Sequence, residues 1–204
     1  MYQNAFTKLE LPEMAIVLDR VNEKLGGIEF DPVDAVILAQ NISFYPGYRL
    51  LEIADHTVMP SVKRYAVYSD DEFFIINFSN EPIYKFNVDL PINLNKENVS
   101  DYVRFFFTYV KGKHGRFILT ENVDDIPWKE DPPPSARKAL GDLIIPITIE
   151  DHDEEGSFFI RCCMCFKDSL FKTRVKIQKN GLVSMSEEEL LVEDMPVLDD
   201  VFAQ

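Results

Sequence analysis

The chain has 204 residues, of which 21 are Lys or Arg and 35 are Asp or Glu, so its formal charge at pH 7 is −14. A hydrophobic fraction of 46%, with 16 Phe, is typical of a folded globular protein and excludes a chain too polar to collapse. The negative charge opposes nucleic acid and anionic membranes, because both are polyanions. We therefore expect one α+β domain over residues 1–204, with neither nucleic acid nor a membrane as its partner.

The first elements along the chain are two predicted helices. Apolar residues recur at helical spacing from Leu11 to Leu25, and Gly26-Gly27 follows as a stop signal. Asp31-Pro32 then resembles a helix start, and an apolar stripe continues to Asn41. These patterns predict a helical hairpin at the N-terminus.

The middle of the chain predicts strands followed by a buried helix. Residues 48–54, 62–68, 73–78 and 83–88 each have the composition of a strand. Residues 99–111 are apolar around most of a helical circumference, which indicates a helix that is buried on more than one side.

The remaining elements predict a β-meander. After a strand over 116–121, the DPPPS connector at 131–135 and a short helix over 136–140, strands are predicted over 143–150, 158–166, 171–178 and 182–185. Asn180-Gly181 is a strong signal for a tight hairpin between the last two strands.

Together, the patterns predict an α+β fold with one strongly bent antiparallel sheet of about 6–8 strands. We expect this sheet to wrap around the Phe-rich helix, with the helical hairpin closing one side. The arrangement resembles NTF2-like and cystatin-like folds in architecture only, and such a resemblance carries little information about function.

The three cysteines lie within four residues and do not predict a metal site. Cys162, Cys163 and Cys165 are odd in number and lack the second ligand pair that zinc sites use. Residues 151–156 begin like a calcium loop, but its twelfth position is Cys162 rather than Glu. We expect no metal and no cofactor. The N-terminus lacks the pattern of a secretory signal, so we expect a cytoplasmic protein.

The loop KGKHGR at residues 111–116 is basic in an otherwise acidic chain. One interpretation is a glycine cap whose cations compensate the helix dipole. The other is a site for a small anion or carboxylate, formed by Lys111, Lys113, His114 and Arg116.

Two further sets of residues are candidates for a site. His114 with Asp124 or Asp125, and also His56, could perform acid–base chemistry, although neither GxSxG nor HExxH is present. Rings of the Phe-rich helix could line an apolar pocket or simply fill the core; the candidates are Tyr102, Phe106 and Tyr109.

Charge is segregated near the C-terminus. Residues 161–179 hold six basic residues and one acidic residue, whereas residues 187–204 hold seven acidic residues and no basic one. The acidic segment is also rich in Leu and Val. It is therefore either a strap, with a short helix near 186–191, that packs on its own sheet, or a tail that docks a basic partner.

These observations favour a non-enzymatic module that binds an unknown small ligand or protein partner. The alternatives are a small hydrolase or isomerase that uses His114 with Asp124 or Asp125, and an acidic adaptor that works through its C-terminal tail. A homodimer is expected if part of the sheet stays uncovered.

Overall fold

The computed structural model describes residues 6–26, 30–90 and 92–198. In these residues the fold is mixed α+β, with two antiparallel sheets of five strands each and four α-helices. The chain divides into two compact units, residues 1–77 and 78–204. The predicted single bent sheet is therefore wrong, because the strands form two sheets. The single domain over 1–204 stays a prediction.

The first unit contains one helix and one sheet. Its sheet has the strand order β1-β2-β3-β4-β5. In chain order its elements are β1 (Thr7–Lys8), α1 (Leu11–Leu25), β2 (Ala35–Asn41), β3 (Arg49–Asp55), β4 (Val62–Tyr68) and β5 (Phe73–Ile76).

Helix α1 forms as predicted and buries one face. Gly26 ends it in the left-handed conformation, where its N–H donates to the carbonyls of Asn22 and Glu23. The buried positions Val17, Leu18 and Val21 belong to the same cluster as Ile37, Leu51 and Ile53 of the sheet. Burial of this apolar stripe, rather than helix propensity, is the main source of stability for a helix of this length.

The predicted second helix is wrong, because residues 35–41 form strand β2. Asp31 does start a turn: its carboxylate accepts from the N–H of Val33 at 2.7 Å, and its carbonyl accepts from Ala35 at 2.8 Å. The turn then passes directly into β2, which pairs with β1 on one side and β3 on the other. Alternate residues of β2 (Ala35, Ile37 and Ala39) enter the buried cluster that contains α1.

The second unit contains three helices and the other sheet. Its strand order is β10-β9-β8-β6, and β7 also pairs with β8. In chain order its elements are α2 (Glu81–Asp89), α3 (Val99–Tyr109), β6 (Phe117–Thr120), a 3₁₀ turn (Val123–Asp125), α4 (Pro134–Leu143), β7 (Thr148–His152), β8 (Phe158–Phe166), β9 (Ser169–Ile177) and β10 (Val183–Val192).

Three predictions for this unit need correction. Residues 83–88 lie in helix α2 rather than in a strand, and α2 buries Ile83, Phe86 and Asn87 at helical spacing. The strand predicted over 143–150 begins only at Thr148, since α4 continues to Leu143. The helix predicted near 186–191 is strand β10, which pairs with β9 as far as Val192. Residues 199–204 of the predicted strap or tail lie outside the described residues.

Helix α3 is buried along most of its length, as its all-round apolarity indicates, and it meets the β9–β10 turn. The Tyr102 hydroxyl donates to the carbonyl of Gly181 at 2.7 Å, and the Asn87 amide of α2 donates to the carbonyl of Asn180 at 3.1 Å. Tyr102 is completely buried, and this burial raises the pKa of its phenol. Two helices therefore hold the turn that joins the last two strands.

An ion pair joins α3 to the end of β6 and predicts a loss of stability in acid. Nε and Nη2 of Arg104 each donate to one Glu121 carboxylate oxygen at 2.8 Å. Arg104 holds the pKa of Glu121 below its usual value. A carboxyl whose pKa is depressed in the folded state stabilises the protein above its unfolded pKa, and this contribution is lost as the pH falls through the folded value.

We expect Glu121→Gln to lower the free energy of unfolding at pH 7 by about 1–2 kcal/mol, because Arg104 loses a charged partner. The variant should also lose less further stability than the wild type below about pH 4.5, where Glu side chains begin to protonate. Urea unfolding at pH 7 and pH 3.5, followed by the fluorescence of Trp128, measures both effects. Glu154→Gln on the exposed β7–β8 turn is the matched control, and the idea fails if both variants follow the same pH dependence.

None of the helices in the described part of the chain is long and apolar enough to cross a membrane.

Candidate functional site

Five side chains that carry or can accept positive charge line one cavity of about 300 Å³ in the second unit. We call it the cationic cavity. Four of the five are the residues that were predicted from the sequence to form an anion site, and the fifth is Lys167. Apolar contacts and glycine backbone complete the wall; the whole lining is Lys111, Gly112, Lys113, His114, Gly115, Arg116, Ile118, Pro127, Lys167 and Leu198.

The loop that supplies four of these side chains is shaped by its glycines. After α3 ends, the N–H of Lys111 donates to the carbonyl of Phe78 at 2.8 Å. Gly112 and Gly115 then form an isolated antiparallel bridge, which closes the loop on itself. Gly115 has a φ of +137°, and a Cβ there would lie 3.2 Å from the Phe166 ring. The loop thus requires glycine at 115 and lies against the end of β8.

The pairing of β6 with β8 places Lys167 beside the cationic cavity. Phe117 of β6 pairs with Phe166 of β8, and their rings stack with centroids 4.4 Å apart. Because the strands are antiparallel, Arg116 just before β6 and Lys167 just after β8 lie at the same end of the pair. Sequence reasoning missed Lys167. Its position in the basic stretch 161–179 indicated a positively charged surface. However, the pairing of β6 with β8 joins residues that lie far apart in the sequence, and local sequence patterns do not show such pairing.

The remaining wall comes from two chain segments that bind each other. The N–H of Leu198 donates to the carbonyl of Pro127 at 2.6 Å. The N–H of Lys129 donates to the carbonyl of Pro196 at 2.9 Å. Met195 and Val197 are buried in a cluster that also contains Ile126. These contacts therefore hold Leu198 beside Pro127, and both residues line the cavity.

The cationic cavity is electrostatically distinct from the rest of the molecule. Across the part of the chain that the structure describes, no carboxylate lies within ion-pair distance of Lys113, Arg116 or Lys167. The Nε of Arg116 is buried and has no hydrogen-bond partner among the described residues. A buried donor without a partner is costly, and Arg116 also lines the cavity, so its guanidinium is the candidate group for an acceptor from outside the chain.

The other cations of the sheet are neutralised locally. Arg161 and Arg174 both donate to Glu150, at 2.8 and 2.9 Å, and Lys172 pairs with Glu189 of β10 at 3.0 Å. These pairs are partly exposed to solvent, and each contributes about 0–1 kcal/mol. The cationic cavity thus differs from Arg161 of β8 and from Lys172 and Arg174 of β9, whose charges pair with Glu150 of β7 and Glu189 of β10.

Of the candidate catalytic residues in the second unit, His114 lines the cationic cavity and the other two, Asp124 and Asp125, do not. The Asp124 carboxylate pairs with Arg137 of α4, and the Asp125 carboxylate accepts from the N–H groups of Glu121 and Asn122 at 2.8 and 2.9 Å. His56 belongs to the first unit, where its Nδ1 lies 3.2 Å from the Ser61 hydroxyl. An acid–base role for any of these residues stays a prediction.

The aromatic residues that were predicted to line an apolar pocket pack against other rings. Tyr102 is completely buried, and Phe106 and Tyr109 are each 6% exposed. Phe106 stacks on Tyr84 with centroids 5.8 Å apart, and Tyr109 contacts Phe105 at 5.3 Å. None of the three lines the cationic cavity. An apolar pocket at these rings stays a prediction.

The cysteines are buried thiols. Cys162, Cys163 and Cys165 are all free and buried in β8. Burial raises the pKa of the Cys162 thiol to about 12 and also raises that of Cys163. A thiol held in its neutral form is a poor nucleophile and a poor metal ligand.

Comparisons with protein-family models, with curated proteins and with solved structures found no significant match for this chain.

Proposed function

We propose that the chain is a cytoplasmic binding module without catalytic activity, and that its cationic cavity binds the anionic group of a small molecule. The observation that supports this proposal is the convergence of Lys111, Lys113, His114, Arg116 and Lys167 on one cavity of about 300 Å³. A phosphate or carboxylate has the charge, the size and the acceptor atoms that such a cavity requires. The resemblance to NTF2-like and cystatin-like architecture stays a proposal and adds no ligand to this reasoning.

The cavity and the chain as a whole have charge of opposite sign. With a formal charge of −14, the molecule as a whole repels anions. Binding therefore requires a local field, which Lys113, Arg116 and Lys167 supply at short range because none of them is in an ion pair within the described residues. At physiological ionic strength charges act over about 8 Å, so distant carboxylates have little influence on an anion inside the cavity.

The contacts of Asp124 and Asp125 count against the hydrolase alternative that pairs these two carboxylates with His114. A general base needs an available carboxylate or imidazole within hydrogen-bond reach of the proton it removes. Asp124 is engaged by Arg137, and Asp125 accepts from two backbone N–H groups. The acidic-adaptor alternative has less support, since Glu187 and Glu189 are engaged by basic residues of the same sheet and β10 pairs with β9.

Removing one cation should weaken anion binding by about tenfold, because a hydrogen bond to a charged group contributes about 1.5–3 kcal/mol and tenfold in affinity corresponds to about 1.4 kcal/mol. We expect Arg116→Gln to show the largest single effect, as its Nε is the donor that lacks a partner. Isothermal titration of the full chain with inorganic phosphate and with acetate, at low and at physiological salt, measures the change.

Lys138→Gln is the matched control, since it removes the same charge from an exposed position on α4 outside the cavity. It should bind phosphate as the wild type does. If Arg116→Gln and Lys138→Gln bind equally well, or if the wild type binds neither anion, the cationic cavity is not an anion site.

A further inference from the structure

The cationic cavity has an apolar wall as well as its cations. Three apolar residues line it: Ile118, Pro127 and Leu198. The hydrogen bond from the N–H of Leu198 to the carbonyl of Pro127 holds these two residues side by side. Ile118 packs against the buried cluster that contains Ile126 and Val197, the chain neighbours of Pro127 and Leu198. All three wall residues therefore adjoin one buried apolar cluster.

The start of strand β6 places an apolar side chain beside the cation that has the unpartnered donor. Arg116 and Ile118 both line the cavity, whereas the ring of Phe117 between them stacks on Phe166. This is the alternation of an extended strand, in which residues two apart point to the same face. An anion bound by the Arg116 guanidinium therefore lies on the same side of the strand as the Ile118 side chain.

Leu198 supplies most of the exposed area of the apolar wall. It is 56% exposed, and it also lines a second cavity of about 600 Å³ that adjoins the first. Met195 and Val197 line the second cavity too, but they are only 6% and 5% exposed. The charged side chains of the second cavity have both signs, so its charge adds no clear requirement for a ligand. Its apolar surface continues that of the first cavity through Leu198.

We propose that the ligand is an amphipathic anion: a phosphate or carboxylate that carries a short hydrocarbon chain. This inference rests on the proposed anion site and names the class of its ligand. The anionic group occupies the cationic cavity, and the chain lies along Ile118, Pro127 and Leu198 toward the second cavity. Pockets for small organic molecules have volumes of about 300–1,000 Å³ and combine apolar walls with a few placed polar groups, as here. An inorganic anion would leave the Leu198 side chain uncovered.

The test compares two anions with the same charged group and different chains, methyl phosphate and butyl phosphate. Isothermal titration of the full chain at physiological salt should show that butyl phosphate binds about tenfold more tightly. A fully buried methylene group contributes about fourfold in affinity, and here the chain is covered by the wall on one side. Acetate and pentanoate make the same comparison for a carboxylate.

Leu198→Ala tests the wall itself. The variant should keep the affinity for methyl phosphate, and its preference for butyl phosphate should fall from about tenfold to about threefold, because the main apolar contact of the chain is removed. Leu190→Ala is the matched control, since Leu190 is 49% exposed and lines neither cavity. It should keep the tenfold preference. Unchanged far-ultraviolet circular dichroism verifies the folding of both variants.

The comparison on the wild type requires no variant to fold. Equal affinity of the wild type for the short and the long anion would overturn the amphipathic ligand while leaving the anion site in place. A preference in Leu198→Ala as large as that of the wild type would also overturn it, even if both affinities fall together. Failure of all four anions to bind would overturn the proposed function itself.

Discussion

Replacing Gly181 by alanine is expected to destabilise the second unit by about 3 kcal/mol, through backbone strain and overpacking together. Gly181 has a φ of +80°, in the left-handed region that residues with a Cβ disfavour. An added Cβ would also lie 2.4 Å from Nδ2 of Asn87 and 2.8 Å from the Tyr102 hydroxyl oxygen. Both atoms belong to buried side chains that already bind the turn, so neither can move without losing a hydrogen bond.

Gly156→Ala separates the two causes. Gly156 has a similar φ of +83°, but a Cβ there would meet only the flexible Lys179 side chain at 3.8 Å. We expect Gly156→Ala to cost about 1 kcal/mol, which is the backbone strain alone. Trp128 is the single tryptophan of the chain and lies in the second unit, so its fluorescence during urea unfolding measures both variants. Equal losses would show that the contact with α2 and α3 is unimportant.

Replacing Leu18 by alanine is expected to destabilise the first unit by about 3 kcal/mol, because the change removes buried carbon atoms and leaves a cavity. Leu18 is completely buried on the inner face of α1, in a cluster with Ile37 and Ile53 of the sheet. Urea unfolding followed by far-ultraviolet circular dichroism should show the loss. Hydrogen exchange at the amides of β2 and β3 should accelerate in parallel.

Ile16→Ala tests whether burial is the cause. Ile16 lies on the same helix and is 62% exposed, so its truncation removes little buried area. Its effect should stay below about 0.5 kcal/mol, the usual size for exposed substitutions. A loss as large as that of Leu18→Ala would contradict the placement of the inner face of α1.

Local patterns predicted the parts of this protein that depend on neighbours in the chain. Helix α1, its glycine stop, the buried helix α3 and the strand over 158–166 follow from periodicity and from end signals, which act within a few residues. The prediction of a helix over residues 31–41 was wrong. Asp31-Pro32 does open a turn, but pairing with β1 and β3 makes the following residues a strand. Sheet neighbours decide between helix and strand in short apolar segments, and they lie far away in sequence.

The candidate site shows the same division. Four basic residues could be predicted as a site from sequence because they all lie within residues 111–116, and the positive charge of 161–179 is visible in the same way. Only tertiary structure places Lys167 and Leu198 beside that loop, since their positions depend on the register of β6 with β8 and on the return of residues 195–198 to Pro127. Composition and spacing thus determined which charges the chain carries and where helices start and stop. Long-range pairing decided which of these charges are neutralised and which remain facing a cavity, because electrostatic interactions depend on distance in space rather than along the chain.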